Sequence, residues 1–295
     1  MKHRSLFHRN TRPILAQGAM VCTLSFPLNG AAADKDQFTL FNPTPRDLMR
    51  PMSTDRPDLT ESPFTVDAGH FQIELDAINY AYDCPDSGND RVRTDSYSVA
   101  SVNLKLGLLN RLDLQLLLAP WNYVRTEDKT AGSVHKQCGF GDITARLKFN
   151  LWGNDGGNTT LALMPFVTFP TSDDGVGNSE MAGGIIVPFA MELPAGWGMG
   201  AMTEVDFVED SDGNGHHAEF INTITFGRDI VDALAGYVEF FSAVSVESDS
   251  DWIGSVNFGF TYALSEDMQL DAGLNIGVTR SADDLNPFAG FSWRY

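Results

Sequence analysis

Hydrophobic and polar residues alternate with a period of two over most of the chain after residue 69. In residues 143–151 every odd position is apolar and every even position is polar. In residues 269–279 the even positions from Leu270 to Val278 are apolar, opposite polar residues such as Asp271 and Asn275. A period of two over about ten residues is typical of a strand whose two faces meet different environments.

This pattern predicts about twelve consecutive strands with no helix between them. They span residues 70–82, 97–108, 112–124, 142–152, 159–169, 183–193, 197–208, 218–227, 234–245, 252–263, 269–279 and 287–295. Short connections alternate with mostly longer, more acidic ones, which are 83–96, 125–141, 170–182, 209–217, 246–251 and 280–286. Short turns at one rim and long loops at the other are typical of an all-β, antiparallel up-and-down barrel in a bacterial outer membrane.

A soluble periplasmic β-sandwich is the alternative, but a sandwich gives no reason for this alternation of loop lengths. The aromatic residues favour the barrel, because Trp152 and Trp197 fall near one set of strand ends and Trp121 and Trp252 near the other. Amphipathic rings prefer the two membrane–water interfaces. The last strand places its aromatic residues on one face and resembles the signal that barrel assembly machinery reads: Phe291, Trp293 and Tyr295.

The first 33 residues resemble a secretory signal peptide. Four basic residues without an acidic one precede an apolar run, and Ala31, Ala32 and Ala33 supply a cleavage site. Cleavage there leaves 16 of the 20 Lys and Arg against all 39 Asp and Glu, a net charge of −23. So acidic a chain is repelled by the phosphates of nucleic acids, and we expect no such partner.

Residues 34–68 have no sustained period and carry five prolines, so neither a strand nor a long helix is predicted for them. We expect this segment to pack inside or across the periplasmic mouth of the barrel of residues 69–295, as a lumen plug. Arg56 would then pair with an inward carboxylate such as Glu74 or Asp113. A flexible periplasmic tail is the alternative.

Charged residues on the predicted inner faces are candidates for lining the lumen. These are Glu74, Asp76, Lys105, Asp113, Arg146, Lys148, Glu204, Asp206, Glu239 and Asp271. Charges at membrane depth are often functional, and a role in selectivity is one interpretation. The other is that opposite charges satisfy each other and hold the shape of the barrel.

Cys84 and Cys138 fall in two predicted outer loops, and export to an oxidising compartment favours a disulfide between them. Residues 210–215 match the start of a calcium loop, but Ile221 stands where the final Glu is required. We expect an ordinary hairpin loop, no metal and no cofactor. The sequence contains no G-x-S-x-G turn, no H-E-x-x-H pair and no glycine-rich phosphate loop, so we do not expect an enzyme.

Several segments resemble the outer-membrane β-barrels grouped under the meta-pathway of phenol degradation. They are Thr54-Asp55-Arg56-Pro57-Asp58 with Glu61-Ser62-Pro63, then Gly69 and Gln72-Ile73-Glu74, the turn from Gly107 to Asp113, Gly139-Phe140-Gly141-Asp142 with Lys148, and Pro165-Phe166-Val167 with Pro170-Thr171. The resemblance implies a transporter of small hydrophobic or aromatic compounds.

The expected function is therefore an outer-membrane channel for small, hydrophobic or aromatic solutes. Outer-membrane lipid, lipopolysaccharide and the assembly machinery are its expected partners besides the solute. A non-conducting barrel with a structural or surface-interaction role is the alternative.

Overall fold

A computed structural model describes residues 35–84, 92–173, 176–210, 215–248 and 250–295. The predicted signal peptide, residues 1–33, lies outside the described residues. Two single-turn 3-10 helices occur, Arg46–Leu48 and Pro194–Gly196. Within the described ranges no helix is both long and apolar enough to cross a membrane.

Twelve strands make up the rest of the described fold. They are β1 (Phe71–Asp83), β2 (Val92–Leu109), β3 in two segments (Leu112–Leu118 and Trp121–Asp128), β4 in two segments (Ser133–Gly139 and Ile143–Trp152), β5 (Thr159–Phe169), β6 (Ala182–Leu193), β7 (Trp197–Glu209), β8 (His216–Val231), β9 (Leu234–Ser245), β10 (Ile253–Ser265), β11 (Met268–Gly277) and β12 (Leu285–Arg294).

The sheet closes on itself, which confirms the predicted barrel and its strand number. Each strand pairs antiparallel with the next along the chain, and β1 pairs with β12, with Gln72 opposite Arg294. The Tyr295 amide donates to the Phe71 carbonyl at 2.9 Å across the seam. Closure satisfies the backbone of every strand without leaving an open sheet edge, as a spanning sheet requires.

The two faces of the wall differ in the way a lipid environment demands. On β10, Phe258, Phe260 and Tyr262 are 40%, 53% and 50% exposed, whereas Asn257 and Thr261 between them are 0% and 4% exposed. Apolar side chains therefore cover the outside and polar side chains fill the inside, the reverse of a soluble protein. The sandwich alternative is wrong.

One predicted outer loop is mostly strand. Residues 125–141 were expected to connect two strands, but β3 continues to Asp128 and β4 already begins at Ser133. β2 also begins at Val92, five residues before its predicted start. These extensions rise above the apolar band, where both faces meet water, so their sequence carries no hydrophobic alternation.

A crease crosses β1–β4 at one height and reverses which residues face outward above it. β1 has a register shift against β12 next to Ala77, and Ala100 opposite it has a φ of 59°. The breaks in β3 (residues 119–120) and β4 (residues 140–142) lie beside it. Above the crease the outward side chains include Ile78, Val99 and Trp121, at 49%, 37% and 44% exposure. Such bulges bend a strand and redirect its side chains.

The predicted disulfide is wrong, because Cys84 and Cys138 are both free. Cys138 lies level with Tyr80, to which it is linked through Tyr123 and Tyr97 across three strand pairings. Three strand spacings are roughly 14 Å, and bridged cysteines have Cα atoms less than about 7 Å apart. The positions of the two cysteines in the sequence did not indicate this separation, because residues 125–141 form mostly strand and not the expected loop.

Candidate functional site

The N-terminal segment, residues 35–68, runs through the barrel interior. Its atoms bond to inward side chains of strands on every side of the ring, for example Glu74 on β1, Lys148 on β4, Glu239 on β9 and Asp271 on β11. A segment that meets inner faces all around a closed wall lies inside that wall. Its buried apolar residues include Phe64, Val66 and Ala68.

Asp55 is the centre of the charge network inside the barrel. Its carboxylate forms ion pairs with Lys105 and, at 2.7 Å, with Lys148. Its backbone amide donates to Glu74 at 3.1 Å, and Glu74 also pairs with Lys105. All four side chains are at least nine-tenths buried. Buried charges of opposite sign at this spacing hold the segment against β1, β2 and β4.

Arg56 pairs with Asp271 rather than with Glu74 or Asp113, the partners expected from the sequence. Its Nη2 and Nε donate to the two carboxylate oxygens of Asp271 at 2.7 and 3.3 Å, and its Nη1 lies 3.4 Å from Asp76. A forked contact of this kind fixes the orientation of the guanidinium. Gly290 lies directly beneath it, where a Cβ atom would collide with Arg56.

Further along the segment, backbone amides bind to carboxylates on the wall. Glu239 accepts from the amides of Leu59 and Thr60 at 3.1 and 2.8 Å. Asp113 accepts from the Val66 amide at 3.0 Å. Arg146 on β4 binds Glu61 at 2.5 Å. Most of the charged residues proposed from the sequence therefore meet the N-terminal segment.

Glu204 and Asp206 are the exceptions among the proposed residues. Both lie on β7, and Glu204 is buried while Asp206 is half-buried. Within the described part of the chain, neither has a basic partner within 4.0 Å. They follow Met202 along the inner face of β7.

A second charge cluster at the periplasmic mouth was missed by the sequence analysis. Arg50 donates to Asp155 at 2.9 Å and to Asn110 at 2.8 Å, and its amide binds Asp67 at 3.0 Å. Lys35 lies 3.1 Å from Asp155. Asp155 sits in the turn between β4 and β5, so this cluster ties the segment to the periplasmic turns. The sequence could have indicated Arg50 as a binding residue, because it lies directly before Pro51 in the same irregular segment as Arg56.

Asp155 is ionised more readily in the folded protein than in solution. Burial alone would raise its pKa, but the Arg50 guanidinium, the Asn110 amide and the Lys35 ammonium together hold the pKa below its ordinary value of 3.8. The ionised carboxylate is therefore the form that binds the segment.

Arg294 links the last strand to the same mouth. It forms a salt bridge with Asp267 at 2.7 Å and donates to the Arg50 carbonyl at 2.6 Å. Arg46 also reaches Asp267 at 2.9 Å. Arg46, Arg50, Asp267 and Arg294 surround a polar recess at this rim.

A cavity of about 90 Å³ lies between residues 50–64 and the wall of β6–β10, within a wider space of about 950 Å³ that includes open solvent. Small wall residues leave this space: Ala190, Gly198, Gly200, Gly227 and Ala235. Phe64, Phe189, Pro57 and Pro63 contribute apolar surface, and four charged residues also line the cavity: Arg50, Arg56, Asp58 and Glu61. Concave sites lined by apolar side chains with a few convergent polar groups are typical of sites for small organic molecules.

The segment contacts the wall beside this cavity at Thr60 and Glu61. The Thr60 and Thr223 hydroxyl oxygens are 2.7 Å apart, and the Glu61 amide is 3.5 Å from the Met202 sulfur. Met202 packs with Met164 and Ile186 in an apolar cluster on the inner wall. The Thr60 hydroxyl also donates to the Glu239 carboxylate at 2.6 Å, so this contact between segment and wall combines apolar groups, hydroxyls and a carboxylate.

A group of possible metal ligands lies at the outer rim. Ligand atoms of Asp210, His217 and Glu247 come within 4.8 Å of one another, and His217 Nδ1 is 2.9 Å from Asp210. Residues 211–214 of the calcium-like stretch lie outside the described residues. The histidine and the carboxylate satisfy each other as a hydrogen-bonded pair.

A family model described as "Putative MetA-pathway of phenol degradation" matches residues 54–295. The chain belongs to this family. The resemblance seen in residues 54–171 is thus confirmed and extends through the last strand. The closed wall, apolar outside and polar inside, is that of a bacterial outer-membrane protein.

A solved structure has the same fold at low sequence identity. An outer membrane channel from Pseudomonas putida F1 is 13% identical with a TM-score of 0.58, and the match covers 82% of this chain and 100% of that one. The NanC porin has a TM-score of 0.46 at 10% identity, covering 76% of this chain and 98% of that one. The CymD monoaromatic hydrocarbon channel has a TM-score of 0.43 at 8% identity, covering 76% and 87%. A comparison with curated proteins found no match.

Proposed function

We propose that this member of the phenol-degradation family is a channel that passes small hydrophobic or aromatic molecules across the outer membrane. The cavity beside the N-terminal segment carries this proposal, because its accessible lining is mostly apolar and because it lies between the segment and the barrel wall, where a solute would pass. The family description supports the aromatic class of solute. The fold shared with an outer membrane channel agrees with transport rather than catalysis.

The N-terminal segment is the part that limits the channel. A barrel of twelve strands is wider than the eight-stranded barrels that side chains fill, and narrower than porins with open water channels. The segment binds charged side chains of the wall and leaves a cavity between residues 50–64 and β6–β10. A solute then moves along the wall of small residues and passes the contact of Thr60 with Thr223.

A sealed structural barrel is the second candidate, and the ion-pair network favours it. Asp55, Arg56 and Glu61 all bind wall residues through short, buried contacts, which hold the segment in place. If the segment does not move away from the wall at Thr60, the cavity has no opening toward the outer side of the membrane. Transport measurements separate the two candidates.

The last strand carries the proposed recognition signal for the assembly machinery. Tyr295 stacks on Phe71 with ring centroids 5.1 Å apart, and Trp293 meets the same ring edge-on at 6.4 Å. These aromatic rings lie together on the outer face at the seam between the first and last strands. They are accessible before the barrel closes, which supports their use as a signal during assembly.

The test is solute uptake into liposomes that contain the purified protein. We expect phenols and other small aromatic compounds to enter faster than sugars of similar mass. Ala235→Phe places a large ring in the cavity, since Ala235 is 2% exposed on its wall, and should reduce aromatic uptake several-fold. Ala272→Phe makes the same change on the lipid-facing side of β11 and should leave uptake unchanged.

Uptake of aromatic compounds no faster than that of empty liposomes would contradict the channel and favour the sealed barrel. Equal loss in both variants would show that the cavity is not the route.

A further inference from the structure

The outward face of β1–β4 above the crease carries a row of aromatic side chains. Tyr80 stacks on Tyr97 with centroids 4.6 Å apart, and Tyr123 lies 6.1 Å from both Tyr97 and Trp121. Tyr97 and Trp121 are exposed. An aromatic row above an apolar wall marks the level of the membrane–water interface. Whatever lies one step higher on this face stands among the lipid headgroups.

The side chains one step higher on this face are cationic. Arg125 follows Tyr123 by two residues and shares its face, and Lys136 of β4 lies directly opposite Arg125. Arg93 of β2 lies on the same face, with its guanidinium 5.1 Å from the Tyr82 ring. Three cations therefore stand together at headgroup level, in a chain whose formal net charge is −19.

One buried carboxylate holds two of these cations in position. Asp95, with 6% of its side chain exposed, accepts from Arg93 at 2.7 Å and from Arg125 at 3.3 Å. The Tyr80 hydroxyl donates to the same carboxylate at 2.8 Å. Asp95 thus lies beneath the guanidinium groups and leaves their outer sides available.

The hydrogen-bonding capacity of the patch is not used up within the protein. The side chains of Arg93 and Arg125 remain 38% and 28% exposed despite their contacts with Asp95. In the described part of the chain, Lys136 has no ion-pair partner and is exposed. Glu127 binds Arg125 at 2.7 Å. The N–H groups of Arg93, Arg125 and Lys136 that point away from Glu127 are therefore the ones open to a ligand.

We propose that Arg93, Arg125 and Lys136 form a binding site for the lipid A phosphates of lipopolysaccharide. Lipid A places phosphate groups at the level of the patch and acyl chains below it, where Ile78, Val99 and Trp121 are exposed. Guanidinium and ammonium groups recognise phosphate through charge-assisted hydrogen bonds. The site depends on the outer-membrane location and not on the proposed transport.

The test is native mass spectrometry of the intact, detergent-solubilised protein with added lipid A. We expect the bisphosphorylated form to bind more tightly than the dephosphorylated form. Lys136→Gln should weaken binding of the bisphosphorylated form about fivefold, and the double variant Arg125→Gln, Lys136→Gln should weaken it further. Lys136→Gln breaks no ion pair, so it keeps the test independent of folding.

Arg228→Gln is the matched control. Arg228 also lies on the outward face beside an aromatic ring, 5.3 Å from Trp197, but at the periplasmic rim, and its replacement should leave lipid A affinity unchanged. Unchanged affinity in both patch variants overturns the proposal. So does equal affinity for the two forms of lipid A.

Discussion

At the scale of single residues, the interior is organised by carboxylates that serve the N-terminal segment. Asp55 forms ion pairs with two lysines, and Asp271 binds the guanidinium of Arg56. Glu239 accepts hydrogen bonds from two backbone amides. Each contact replaces water that a buried charge has lost, so removal of one partner costs more than the pair contributed. At the periplasmic mouth, Asp155 has the same role toward Arg50.

Replacing this carboxylate tests the role directly. Asp155→Asn should lower stability at neutral pH by about 1–3 kcal/mol, because it removes charge-assisted hydrogen bonds from Arg50 and Lys35. The unfolding temperature, measured by the heat-induced change in gel mobility, reports the loss. Asp128→Asn is the control, since Asp128 caps an outer turn.

The same variant should alter the dependence of stability on pH. Because the folded protein holds the pKa of Asp155 below its ordinary value, its contribution is complete above that ordinary value of 3.8. It is lost as the pH falls through the lower, folded pKa. Between pH 7 and strongly acidic solution, the unfolding temperature of the wild type should therefore fall further than that of Asp155→Asn. Parallel curves would contradict the assignment.

At the scale of elements, each strand carries two surfaces that different surroundings select. β10 is the clearest case, with aromatic side chains toward lipid and Asn257 toward Glu239 at 2.8 Å. The crease shows the limit of simple alternation, because a bulge at Ala77 and Ala100 exchanges the two faces of β1–β4. Above it the same strands present aromatic and then cationic residues to the headgroup layer.

The depth of a residue in the membrane should decide the effect of a charge on the outer face. Phe258→Arg, near the middle of β10, should destabilise the barrel by about 2–4 kcal/mol. Val231→Arg, at the periplasmic end of β8 and 56% exposed, should cost at most about 1 kcal/mol. Denaturant unfolding in lipid vesicles measures both. Equal costs would show that the apolar band is not where the structure puts it.

At the scale of the whole molecule, barrel and N-terminal segment are packed together as one unit. The wall closes through backbone bonds alone, whereas residues 35–68 bind to its inner side chains. The wall should therefore persist when the segment is removed. We propose that the segment adds control over the passage.

Deletion of residues 36–60 should enlarge the conductance in planar bilayers while heat-modifiable mobility is retained. The deletion leaves Lys105 and Lys148 without Asp55, so a companion variant also carries Lys105→Gln and Lys148→Gln to remove unpaired buried charges. Larger steps in both variants support a plug. Wild-type conductance in both would contradict the claim that the segment limits the channel.

The sequence alone predicted the parts of this protein that depend on local environment. Each of the twelve strands alternates because lipid lies on one side and the interior on the other, so the period can be read without knowing the neighbours. The same alternation identified the outward residues of β11. It failed for residues 125–141, because strands that rise into water have two similar faces.

Tertiary structure alone decided which residues meet. Arg56 pairs with Asp271, 215 residues away along the chain, and no local pattern distinguishes that carboxylate from Glu74 or Asp113. The separation of Cys84 from Cys138 and the site of the cavity likewise depend on strand register and on the path of an aperiodic segment. A sequence period reports the medium around each residue, whereas pairing depends on distances that only the closed wall sets.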